Sequence, residues 1–182
     1  MTEELIIAGF GGQGVLSMGK ILCYSGLMQN LEVSWYPSYG PEMRGGTANV
    51  TVIISDTVIS SPVLNECDTA IILNQQALDK FESAVKKGGL LLYDSSGITR
   101  PPVRSDIKCI SFDASTEALN MGSLKIYNML VLGAYLKLKP VVNQHNIQKG
   151  LEKSLPHRHH HLIPLNMKAI QKGAEIVSGL VN

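Results

Sequence analysis

The residues best equipped for chemistry in this 182-residue chain lie in two glycine-rich runs near its start. The first, Gly9-Phe10-Gly11-Gly12-Gln13-Gly14, follows the β-rich run Leu5-Ile6-Ile7-Ala8. It precedes a segment with Val15, Met18 and Leu22 at helical spacing. Strand, glycine turn and helix in that order leave backbone N–H groups free at a helix start. Those donors, with the positive end of the helix dipole, suit a phosphate or carboxylate. Gly9, Gly11 and Gly14 also satisfy G-x-G-x-x-G, a weak pattern by itself. A dinucleotide site wants an acid at the end of the second strand, where Trp35-Tyr36-Pro37 stand instead; Glu32 is at its start. No Gly-Lys-Ser/Thr follows the loop, so it is not a P-loop. An anion-facing loop and tight backbone packing both remain open readings.

The second run is Tyr39-Gly40-Pro41-Glu42-Met43-Arg44-Gly45-Gly46. Its glycines expose Arg44, which can clamp a phosphate or a partner's carboxylate with two parallel hydrogen bonds, or simply stand solvated. Glu42 has no catalytic mate and suits a salt bridge. Histidines at 157, 159, 160 and 161 suggest a metal, but adjacent side chains on a loop diverge. A polar, weakly basic loop is expected there. Asn128, a little over one turn from Gly133, suits a buried backbone group or a ligand. No Ser-His-Asp or Cys-His pairing and no thiamine-diphosphate Gly-Asp-Gly signature is present, so no catalytic residue is assigned. Cys23, Cys67 and Cys109 are too scattered for a disulfide framework or an iron–sulfur cluster, which fits a reducing compartment.

Elements must hold these residues in place. Strands are expected near Leu5–Ala8, Glu32–Tyr36, Thr47–Ile54, Asp68–Asn74, Leu90–Tyr93 and Ile107–Phe112. Thr57–Ile59 is expected to pair back on Thr47–Ile54 as a hairpin. Helices are expected after the glycine loop, over Gln75–Lys87 with Gly88-Gly89 as the stop, and over 114–120, 125–138, 143–154 and 164–180. The alternation predicts one three-layer α/β/α domain over residues 1–182, with a mixed, mostly parallel sheet.

Composition narrows the function. Net charge is +1, giving no footprint for nucleic acid or an anionic membrane. Only 17% of residues are charged, against about 25% in an average domain, which suggests surface covered by a partner. No apolar run approaches the roughly 20 residues of a membrane span. Thr2-Glu3-Glu4 is not a secretory lead-in, and a cytoplasmic location is expected.

Together the two glycine runs, with Ile59-Ser60-Ser61-Pro62, Asn128 to Gly133 and Asn166 to Gly173, resemble the gamma subunit of 2-oxoacid:ferredoxin oxidoreductases. Leu155-Pro156-His157-Arg158 points towards the 2-oxoglutarate (KorC-like) branch. The resemblance implies a three-layer domain working beside alpha, beta and delta subunits. It implies oxidative decarboxylation of a 2-oxoacid with coenzyme A, giving acyl-CoA, carbon dioxide and reduced ferredoxin. Thiamine diphosphate, Mg and iron–sulfur clusters would sit on or with the partners. Gly11, Gly12, Gln13 and Gly14 would form a loop near the shared active-site region, and Arg44 would face a partner or coenzyme A from a neighbouring loop. Two rivals are a stand-alone nucleotide-binding oxidoreductase and a purely structural interaction subunit.

Overall fold

The computed structural model describes residues 1–39 and 47–181. Its strands are β1 (Thr2–Phe10), β2 (Glu32–Tyr39), β3 (Thr47–Ser55), β4 (Cys67–Ile72), β5 (Val85–Asp94) and β6 (Lys108–Phe112). The helices are α1 (Val15–Leu27), α2 (Gln75–Phe81), α3 (Ala114–Asn120), α4 (Tyr127–Leu138), α5 (Gln144–Ser154) and α6 (Ile163–Leu180). The strands form one sheet in the order β2-β3-β1-β4-β5-β6. β1, β4, β5 and β6 are parallel neighbours, and β3 runs antiparallel to both β1 and β2.

β1 shows why the sheet is covered on both faces. Leu5 and Ile7 enter one apolar layer with α1, α4 and α6, while Ile6 and Ala8 enter a second with α2. Alternate side chains of a strand point to opposite faces, so a run apolar at every position needs two covers. The first layer is the thicker. In it α4 is buried around most of its circumference, with α6 packed outside it. Gly133 and Gly173 permit that crossing: a Cβ on Gly133 would collide with the carbonyl of Ile170, and one on Gly173 with that of Leu130.

Three local expectations fail for tertiary reasons. Residues 57–59 form no strand, because β1 and β2 already occupy both edges of β3. The antiparallel pairing is real, but its partners are β2, the strand just before β3, and the more distant β1. The helix after Asn74 stops at Phe81, and residues 82–84 make a single 3-10 turn. The chain then enters β5 well before Gly88-Gly89, since Val85 pairs with Cys67 before the register breaks. Glu82 fixes this turn by accepting hydrogen bonds from the N–H groups of Val103 (2.5 Å) and Arg104 (3.0 Å). Finally, residues 157–162 are a short 3-10 helix, not an open loop.

Candidate functional site

The glycine loop occupies the carboxyl end of β1, beside the end of β4. From there α1 leaves towards β2 and β3 on one face, and α2 belongs to the layer on the other. Such a divergence opens a crevice at the strand ends, the usual ligand position in open α/β sheets. Gly12 (φ +100°) and Gly14 (φ +77°) take left-handed conformations, costly for a residue with a Cβ. Gly14 begins α1, whose first helical hydrogen bond runs from Met18 N–H to the Gly14 carbonyl. The N–H groups of the preceding turn therefore lie outside the helical ladder. No acidic residue stands in that first turn. A cavity of about 280 Å³ opens there, lined by Gly11, Gly12, Gly14, Leu16, Ser17 and Ala48 among others.

Gln13 has a different part. Its Oε1 accepts from Phe10 N–H at 2.6 Å, and its Nε2 donates to the Leu73 carbonyl at 3.2 Å. The side chain thus ties the end of β1 to the residue after β4, and both ends of the amide are engaged within the fold. Asn74, next along, accepts from Ala77 N–H at 2.8 Å and caps α2.

Asn128 faces Gly14, not Gly133: a Cβ on Gly14 would collide with the Asn128 amide. The neighbouring Tyr127 anchors this approach. Its hydroxyl donates to Asp94 Oδ2 at 2.7 Å, and Asp94 also accepts from Ser96 Oγ (2.9 Å) and Ala114 N–H (3.2 Å). Burial and the adjacent Asp94 carboxylate hold the Tyr127 phenol well above its ordinary pKa, so it stays a donor. A carboxylate at the end of β5 thereby fixes the start of α4, and with it the lid over the glycine loop. Sequence reasoning missed Asp94 and Tyr127, because nothing local links two residues 33 positions apart.

Arg44 and Glu42 lie outside the described residues. Their flanks are placed: Thr47 pairs with Phe10, and Tyr39 with Ala48. The second glycine run therefore starts and finishes at the same end of the sheet as the first. Among the described residues no group of three or more His, Cys, Asp or Glu side chains is placed to hold a metal ion. His160 Nε2 is bonded to the Leu155 carbonyl at 3.0 Å. Cys23 and Cys67 are buried in opposite layers, and Cys109 is exposed on β6. Three thiols so separated cannot share an iron–sulfur cluster. No helix of the described chain is long and apolar enough to cross a membrane.

An open, mostly parallel sheet covered on both faces, with a glycine loop at its point of divergence, defines the class. Residues 4–176 match the family described as pyruvate ferredoxin/flavodoxin oxidoreductase, and the chain belongs to that family. It is 32% identical over 185 residues to the 2-oxoglutarate synthase subunit KorC of Methanocaldococcus jannaschii, covering 99% of this chain and 96% of that one. It is 34% identical over 170 residues to the ketoisovalerate oxidoreductase subunit VorA of Methanothermobacter thermautotrophicus. That match takes in 93% of this chain but spans only about a third (35%) of the relative's length. Among solved structures, the keto/oxoacid ferredoxin oxidoreductase gamma subunit of Geobacter sulfurreducens superposes with a TM-score of 0.82 at 31% identity, covering 97% of this chain and 99% of that one.

Proposed function

We propose that this chain acts as a single-domain gamma-type subunit in the CoA-dependent oxidative decarboxylation of a 2-oxoacid, with ferredoxin as electron acceptor. The substrate we assign is 2-oxoglutarate. What supports it is the end-to-end match to a 2-oxoglutarate synthase subunit, set against a match to only a third of the ketoisovalerate relative. Thiamine diphosphate, Mg and iron–sulfur clusters supply the decarboxylation and electron transfer, on or with alpha, beta and delta partners in the cytoplasm. This chain's own part is to bind and orient.

The observation that carries this role is the helix start at Gly12–Gly14. The N–H groups of Gly12 and Gly14 lie outside the helical ladder, while that of Gln13 donates to the Phe10 carbonyl at 3.2 Å, and no acid stands in the first turn to neutralise the dipole. An anion placed there, whether a coenzyme A phosphate or a partner carboxylate, gains both hydrogen bonds and dipole field. Arg44 belongs to the run between Tyr39 and Thr47, which are placed at the same end of the sheet as the glycine loop, and an arginine near the loop would add a formal positive charge. The engagement of Gln13 within the fold favours a second reading for that one position, as a structural tie.

The test is reconstitution of the complex with Arg44→Ala. Losing one charge-assisted contact weakens subunit assembly, or raises the apparent coenzyme A KM, by roughly 10- to 150-fold. If both quantities match wild type, Arg44 is a solvated surface residue and the anion-binding reading of this region is wrong.

A further inference from the structure

The densest run of basic residues stands apart from both glycine loops. Residues 149–161 hold Lys149, Lys153, Arg158 and four of the chain's five histidines against one acid, Glu152, in a molecule whose net charge is only +1. The fold bends part of this run around a cleft. The last turns of α5, the short 3-10 helix that follows, and Met28 just past the end of α1 enclose about 650 Å³. Met28, Leu155 and Pro156 give the cleft an apolar side, and Lys149, Lys153, His157 and His160 a basic one. The glycine loop begins α1 and this cleft meets its other end, so a helix of 13 residues, roughly 20 Å long, separates them.

A helix C-terminus ordinarily repels an anion, through its free carbonyls and the negative end of its dipole. Here the carbonyls nearest the cleft are taken. That of Leu151 accepts from Leu155 N–H at 2.9 Å and Ser154 Oγ at 3.3 Å, and that of Pro156 from His159 N–H at 2.8 Å. The Leu155 carbonyl accepts from His160 Nε2 at 3.0 Å, which puts the ring hydrogen on that nitrogen and leaves Nδ1 for a ligand. The His157 and His160 ring centroids stand 4.6 Å apart, where two imidazolium charges repel each other and an anion beside them relieves the repulsion. Glu152, the one carboxylate of the cleft, is engaged by Gln148 Nε2 at 3.2 Å and not by either lysine. Lys153 complements the α5 dipole, but that accounts for one cation of the last turn, not for a second lysine and a pair of imidazoles.

We propose that this cleft binds a compact organic phosphate, a small molecule whose charge is concentrated on one or two adjacent phosphoryl groups. The phosphoryl oxygens meet the Lys149 and Lys153 ammonium groups and the imidazoles of His157 and His160, and the rest of the molecule lies against Met28, Leu155 and Pro156. The volume falls within the range of about 300–1,000 Å³ usual for small-molecule sites. The assignment goes beyond the role proposed above and does not depend on it, because the site lies at the far end of α1 from the glycine loop.

The experiment titrates the isotope-labelled full chain with inorganic pyrophosphate near neutral pH and at low salt, following backbone amide and histidine ring resonances. Sodium chloride at matched ionic strength is the blank, and hexaglutamate and coenzyme A are titrated in parallel. Pyrophosphate shifts the amides of residues 149–161 and the rings of His157 and His160, with a Kd of about 1 mM or tighter. Replacing Lys149 and Lys153 together by Ala weakens it by about tenfold or more while the melting temperature holds, since both side chains are exposed. Shifts no larger than the blank, shifts centred on residues 11–17, or unchanged affinity in the double-lysine variant would each overturn the proposal. So would tighter binding of hexaglutamate, which would make the cleft a docking face for an acidic protein, or tighter binding of coenzyme A.

Discussion

Gln13 shows how one residue's part is decided by what surrounds it. In a glycine loop its amide suggests ligand contact, yet the ends of two strands engage it at both poles. The thiols make a similar point with a measurable consequence. Burial pushes both the Cys23 and the Cys67 thiol up to about 12. A thiol whose pKa is raised by folding keeps its proton in the folded chain and loses it in the unfolded one. Its stabilising contribution is therefore full below the unfolded pKa of about 8.5 and falls as pH rises from there towards 12. Between about pH 8.5 and 10, below the tyrosine range, stability should drop by up to about 1.4 kcal/mol per pH unit for each thiol. Urea unfolding across that window checks the slope, and Cys23→Ala with Cys67→Ala should flatten it. In the native chain at pH 8, an alkylating reagent should modify Cys109 and spare the other two, as peptide mapping would show.

Among the elements, the crossing of α4 and α6 carries the sharpest prediction. Gly133 and Gly173 belong to two of the stretches through which the chain resembles its family, and both sit where a helix backbone touches its neighbour's carbonyl. Such a contact yields only by parting the helices, unlike one with a flexible side chain. Gly133→Ala should therefore cost about 3 kcal/mol or more, above the usual range for a single added methyl group. The denaturation midpoint measures it, and a shift within error of wild type would show that α6 can slide without loss. The same packing fixes α4, whose first turn brings Asn128 over Gly14. Weakening the crossing should thus reach the glycine loop, although neither glycine lies near it in sequence.

At the scale of the whole molecule, the accessible surface is 9114 Å². A compact monomer of 19.7 kDa is expected to expose about 8600 Å². The chain therefore closes its core without help from a partner, and should express as a folded monomer. Its chemistry is another matter. The three thiols stand apart, and no group of metal ligands is assembled among the described residues. The isolated chain should be folded, colourless and without 2-oxoacid turnover. Circular dichroism, iron analysis and a ferredoxin-linked assay test each part. Stoichiometric iron, or turnover by this polypeptide alone, would contradict it.

Periodicity and glycine placement by themselves determined that the chain is α/β, that its first strand runs through a glycine turn into a buried helix, and where the C-terminal helices lie. These are short-range properties: each depends on residues within a turn or two of one another. The same stretches also carried the family resemblance, because motif order survives without knowledge of contacts. Tertiary structure alone decided the rest. It set β3 between the preceding strand β2 and the more distant β1, so residues 57–59 found no free edge for the expected hairpin. It started β5 early, through a pairing between Val85 and Cys67 that no local pattern encodes. It turned Asn128 towards Gly14, anchored by an Asp94–Tyr127 bond across 33 residues. Contacts of that range depend on how the layers pack, and packing is a property of the assembled fold.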